Sequence, residues 1–173
     1  QGLLHPSDFR RLLVRATSLG AVAFVPVITD ASMLPVLGSN GRPEGEGDWP
    51  TLVRDAAETA GRGRRPALGE TMLYDHALDD ALRGARVLLV DPSGESPEVA
   101  VGDRPFSIAI FCPPPGGFSR DERDRALGRA VAVMRPPVVG PDPIQPALSA
   151  LEVIYRTLEG FTPPGVEARG ATP

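Results

Sequence analysis

Residues 86–134 read RVLLVDPSGESPEVAVGDRPFSIAIFCPPPGGFSRDERDRALGRAVAVM, and the fold turns on how the apolar runs in this stretch are joined. Arg86–Asp91 is a strand of the fully buried kind, a continuous Val87, Leu88, Leu89, Val90 run stopped by Pro92-Ser93-Gly94. A second turn region follows, and Phe106–Cys112 is the next apolar strand, ended by Pro113-Pro114-Pro115-Gly116-Gly117. Ser119-x-x-Glu122 is a capping box, and Ala126, Leu127, Ala130, Val131 and Met134 continue a helix from it. Neighbouring strands joined by turns too short for a crossover helix pair antiparallel. The expected fold is therefore α+β, with an antiparallel or mixed sheet and helices on one side.

Toward the N-terminus, His5-Pro6-Ser7-Asp8 precedes Phe9, Leu12, Leu13 and Ala16, which is helical spacing over Ser7–Leu19 closed by Gly20. Ala21–Ile28 reads as a buried strand with Pro26 at an edge or bend, Thr29–Ser32 as a turn and Met33–Leu37 as a short second strand. Gly38–Gly47 is a loop, and Asp48 and Pro50 open a helix to Ala60. An arginine-rich loop covers Gly61–Gly69, and Glu70–Leu82 is helical in pattern. Beyond Met134, a proline-rich connector leads to a helix at Leu148–Leu158 and a tail at Gly165–Pro173. The expected organisation is an α+β domain over 1–135, a connector over 136–146, a C-terminal helix over 147–162 and a flexible tail over 163–173. Because the chain opens on Gln1-Gly2, it is expected to be a fragment of a larger polypeptide or a processed product.

The 173 residues suffice for one domain with a real core, at 42% hydrophobic and 23% charged residues. Net charge is −4 and no basic stripe is visible, so no nucleic-acid partner is expected. All 18 basic residues are arginine. The absence of lysine excludes a P-loop lysine, a Schiff base and a Ser-x-x-Lys nucleophile. A single cysteine, Cys112, and two histidines exclude an internal disulfide, a multi-cysteine metal site and a three-histidine site, so no metal is expected. With no run of about 18 apolar residues, no membrane partner is expected and the expected location is cytoplasmic.

Phe106–Met134 resembles the closing strand and helix of GAF-type sensory domains, where a final apolar strand runs into Phe-Ser-x-x-(Asp/Glu)-(Glu/Arg) and an amphipathic helix. Phe118, Ser119, Asp121, Glu122 and Arg123 stand in that pattern. The resemblance implies a GAF/PAS-like fold and a non-catalytic regulatory role in signalling, sensing a small molecule or mediating homodimerisation alongside other domains of the parent protein. The Asn-Lys-x-x-x-Phe-Asp-Glu signature of the cyclic-nucleotide-binding members is absent, so ligand and cofactor stay unknown.

Six residues are candidates for ligand or anion binding. Arg62, Arg64 and Arg65 form the one basic cluster, suited to phosphate or a carboxylate. Asp30 and Asp91 each close an apolar strand and are followed two residues on by Ser32 and Ser93; the same pattern makes ordinary turns. His76 has Asp79 and Asp80 at helical spacing, an arrangement that allows a metal pair or an acid–base pair as well as a solvated face. Cys112 reads as a buried apolar residue and no catalytic residue is assigned. Two further functional readings stay open: a pocketless protein-interaction module, and an enzyme working through Asp, Arg and His.

Overall fold

The structure is a computed structural model that describes residues 1–32, 38, 42–102 and 105–159. Helix α1 spans Pro6–Ser18, and two short strands follow, β1 at Ala23–Phe24 and β2 at Val27–Ile28. A 3-10 turn at Glu46–Asp48 leads into α2, Trp49–Thr59, with Pro50 in the first turn where a missing N–H costs nothing. Strands β3 (Ala67–Leu68) and β4 (Met72–Leu73) precede α3, Tyr74–Leu82. Then come β5 (Arg86–Glu95), α4 (Pro97–Val101), β6 (Ile108–Phe111), α5 (Arg120–Gly128), β7 (Ala132–Met134) and α6 (Gln145–Glu159).

Every strand pair among the described residues is parallel: β1 with β3, β2 with β4, and β5 with both β6 and β7. The expected antiparallel or mixed sheet of GAF/PAS type is therefore overturned. The reason lies in the joins. Pro97–Val101, read as a turn region, is a five-residue helix that carries the chain back to begin β6 in the same direction as β5. Ala132–Met134, read as the end of a long helix, is a strand, because the helix stops at Gly128 and Ala130 takes a positive φ of 57°. Met72–Leu73, assigned to a helix, is β4, and Ala67–Leu68 in the expected loop is β3. The expected strand over Ala21–Ile28 divides into β1 and β2 around Val25-Pro26. The expected strand at Met33–Leu37 and the tail at Gly165–Pro173 lie outside the described residues.

Helices cover both faces of the sheet, not one. Along β5, Val87 and Leu89 pack with α3 and α5 residues Tyr74, Ala77, Leu78 and Ala126. Leu88 and Val90 point the other way, onto Ala100 and Val101 of α4 and Ala150 and Ile154 of α6. This is the period-two alternation of a strand buried on both faces. A third cluster joins α1, α2 and α6 through Phe9, Leu12, Leu13, Trp49, Val53, Ile144 and Leu148, with Phe9 and Trp49 stacked at 4.6 Å.

The N-terminal residues bridge the two halves of the molecule. Leu3 N–H donates to Val27 O and Val27 N–H to Gln1 O, while Gly2 N–H donates to Cys112 O at the end of β6. Gln1 to Leu3 thereby lies between β2 and β6 and brings their carboxyl ends onto one edge. No helix among the described residues is long and apolar enough to cross a membrane.

Candidate functional site

In open sheets of parallel strands, ligands bind in the crevice outside the carboxyl ends of the strands. Here that edge collects four loops: Thr29–Ser32 after β2, an excursion at Asp91–Gly94 within β5, Cys112–Phe118 after β6, and the chain leaving β7 at Arg135. Met134 sits opposite both Val90 and Glu95, so residues 91–94 bulge out of the ladder and the strand resumes beyond them. This is why Pro92 is tolerated: it stands where no ladder hydrogen bond is due.

The first turn of α5 gathers the loop ends. Ser119 Oγ caps the helix by accepting from the Glu122 amide at 3.1 Å, and Glu122 Oε2 accepts from the Ser119 amide at 2.8 Å, completing the capping box read in the sequence. Ser119 Oγ also donates to Asp30 Oδ2, and Glu122 Oε1 accepts from the Asp30 amide at 2.9 Å. Glu122 has no exposed surface, and its carbonyl accepts from the Tyr74 hydroxyl at 3.1 Å. Burial pushes the Tyr74 hydroxyl pKa up, and the nearby Glu122 charge pushes it further, so the phenol stays a donor.

Asp91 is buried and accepts from the Ser93 amide at 2.9 Å and the Ser93 hydroxyl at 2.5 Å, with the Arg123 guanidinium 3.4 Å away. Burial opposes its ionisation, but the Ser93 hydroxyl and amide and the Arg123 charge outweigh it, holding the carboxyl below its ordinary value of 3.8. A carboxyl depressed in this way favours the folded state above its unfolded value, and that contribution is lost as pH falls through the folded value. Asp91→Ala is expected to cost about 2 kcal/mol at neutral pH. In melts followed from neutral pH into acid, the gap to wild type is expected to close below the ordinary value; a pH-independent gap would show that the charge does not matter.

After β6, Pro113, Pro114 and Pro115 have no N–H to donate, so the loop presents carbonyls. Pro113 O accepts from Gln1 Nε2 and Pro114 O from Gly117 N–H; the Pro115 and Gly116 carbonyls accept nothing among the described residues. Gly116 and Gly117 take φ of +98° and +86°, and a Cβ built on either would meet nothing within 4 Å. Backbone here faces open space, in the conformation that only glycine adopts without strain. Cys112, at the base of the loop, is buried, and burial pushes its thiol pKa up to about 11, which keeps it protonated.

Of the six candidate residues, the structure brings Asp30 and Asp91 together around α5. Arg62 is committed elsewhere: its guanidinium donates to the carbonyls of Thr17, Gly20 and Ala21 at the end of α1. Arg64 and Arg65 are exposed on the loop before β3, at the amino ends of the strands. His76 is exposed on α3, while Asp79 pairs with Arg129 and Asp80 with Arg83. No group of three His, Cys, Asp or Glu among the described residues could hold a metal ion. The 113–117 loop, which the sequence marks only as a strand stop, joins the candidate site; a proline–glycine run after a buried strand points to one only once the strands are known to be parallel.

Residues 1–135 match the family model described as an RNA methyltransferase domain. The chain belongs to this family. The GAF-type regulatory reading, with its signalling role, is thereby overturned; the Phe118-Ser119-x-x-Glu122 motif that carried it is a helix cap, which unrelated strand–loop–helix units share. The expectation of no nucleic-acid partner falls on the same finding, since a net charge averaged over the chain does not report which arginines share an edge.

Solved structures agree on the fold. The ribosomal RNA small subunit methyltransferase E of Neisseria gonorrhoeae, bound to S-adenosyl methionine, superposes with a TM-score of 0.76 at 19% identity, covering 90% of this chain and 63% of that one. A Legionella pneumophila protein assigned as a methyltransferase, with bound S-adenosyl methionine, gives 0.80 at 18% identity, covering 90% and 64%. A hypothetical protein gives 0.80 at 21% identity, covering 91% and 64%. This chain thus spans less than two thirds of the length of these structures. None of the curated proteins compared matches the chain.

Proposed function

We infer that this chain is the cofactor-binding part of an RNA methyltransferase, with S-adenosyl methionine held at the carboxyl edge of β5, β6 and β7. The observation that carries the reading is the open, acceptor-rich backbone of Pro115–Gly117 on that edge, in a chain of the RNA methyltransferase family. The residues fit the group. A sulfonium cofactor with an adenine amine and an α-ammonium offers N–H donors and a positive charge, and the loop offers carbonyls. A phosphate-bearing cofactor would need the N–H groups that three prolines remove. When bound, the cofactor supplies an electrophilic methyl group for a nucleophilic atom of the RNA.

The chain's own residues serve binding and orientation. Gly116 and Gly117 let a ligand approach the main chain, and Asp91, held by Ser93, fixes the bulge that forms the facing wall. Arg120, Arg123 and Arg135 rim the same edge and are the cations available there to RNA phosphates. We place this activity in the cytoplasm, where RNA substrates are found.

Isothermal titration with S-adenosyl methionine tests the reading. Wild type is expected to bind one equivalent, with ATP failing to compete. Gly117→Val puts a branched side chain at a positive φ and into the open space, and is expected to weaken binding at least about tenfold. Absence of binding to wild type, or unchanged binding by the variant, would overturn the assignment.

A further inference from the structure

Glu122 does more than cap a helix. Its carboxylate is fully buried, yet it faces no arginine within ion-pairing distance among the described residues, and its two oxygens are used by two different loops. One oxygen takes the amide of Asp30, 92 positions away at the end of β2; the other takes the amide of Ser119, where the β6 loop enters α5. Ser119 closes the circuit by donating to the Asp30 carboxylate, and the Tyr74 hydroxyl holds the Glu122 carbonyl from α3. A capping box needs only the Ser119 half of this arrangement. The Asp30 half joins two strand-end loops that have no covalent reason to stay together.

We propose that Glu122 is a positioning residue for the strand-end site, the clip that sets the 113–118 loop against the end of β2. The proposal rests on the cofactor assignment above. It adds that the β2 loop, through Asp30 and Ser119, is mechanically part of that site. Glu122→Gln keeps the size of the side chain but replaces one acceptor by an NH2 group, which then faces a backbone N–H. One of the two loop contacts is lost and the cap persists through Ser119 Oγ.

The test combines three readouts on wild type, Glu122→Gln, and Leu12→Ala as a control. Leu12 is buried between α1 and α2 and destabilises the fold away from the strand ends when truncated. The expected result for Glu122→Gln is faster hydrogen exchange confined to residues 29–32 and 113–119. S-adenosyl methionine affinity is expected to fall about tenfold, the scale of one lost charge-assisted hydrogen bond. Leu12→Ala is expected to lower the melting temperature with affinity unchanged. Equal exchange in the two loops of wild type and Glu122→Gln would overturn the clip, as would an affinity loss in Leu12→Ala as large as that in Glu122→Gln at matched melting temperature. If wild type itself binds no S-adenosyl methionine, the cofactor assignment fails and the positioning role falls with it, while the exchange data still report whether Glu122 joins the loops.

Discussion

Gly94→Ala is expected to lower the melting temperature by about 6–12 °C, equivalent to about 3 kcal/mol in a domain of this size. The cause is the return of β5 to its ladder after the Asp91–Gly94 bulge. Met134 lies opposite Val90 and again opposite Glu95, so the chain comes back directly over the Met134 backbone. A Cβ at Gly94 would stand 2.6 Å from Met134 C and 2.7 Å from Arg135 N. Both are backbone atoms in a paired strand and cannot swing aside as a side chain tip can. The Arg135 amide also donates to Glu95 O at 2.8 Å, so relief by sliding β7 would break a ladder bond. Gly63→Ala makes the control, because nothing lies within 4 Å of the new methyl there. Differential scanning calorimetry of both variants decides the matter; an unchanged transition in Gly94→Ala would mean that the bulge does not hold β7 this closely.

Arg62→Met is expected to cost about 2–4 kcal/mol, the scale of losing several charge-assisted hydrogen bonds at once. Arg62 follows α2, and its guanidinium reaches the carbonyls of Thr17, Gly20 and Ala21 at 2.8, 3.2 and 2.6 Å. These groups close α1, and a positive charge beside a helix's carboxyl end also suits its dipole. The Tyr155 hydroxyl of α6 shares the Gly20 carbonyl at 2.6 Å, so the same point links three helices. Lysine in place of Arg62 is expected to recover little of the loss, because a single ammonium cannot reproduce the planar fork. Arg64→Met, on an exposed neighbour, is expected to change stability by less than about 0.5 kcal/mol. Denaturant melts of the three variants would show this order; an Arg62→Met protein as stable as wild type would remove Arg62 from the account of the fold.

Arg62 also shows how sequence reading runs out. In the sequence it is one of three arginines in a polar loop, a pattern that points to an anion site. Only the path of the chain shows that α1 ends within reach of it. Asp30 and Asp91 were legible as strand-end acids, and both do lie at the carboxyl edge. Their partners Ser119 and Arg123 were not legible, since Asp30 and Ser119 are 89 positions apart and Asp91 and Arg123 are 32 apart.

What the sequence determined by itself is local. The buried β5 run, the capping box at Ser119 and Glu122, and the cores of α1, α2 and α6 follow from residue spacing, which acts within a few positions. Composition settled two further matters: every side-chain cation except histidine is a guanidinium, and no disulfide can form within the chain. Strand direction was decided by the tertiary structure alone. Parallel and antiparallel neighbours use the same apolar residues, and what separates them is the connection, here a five-residue helix at Pro97–Val101 too short to show a helical period. With the direction comes the site, because only strands that point the same way can bring the ends of β2, β5, β6 and β7 to one edge.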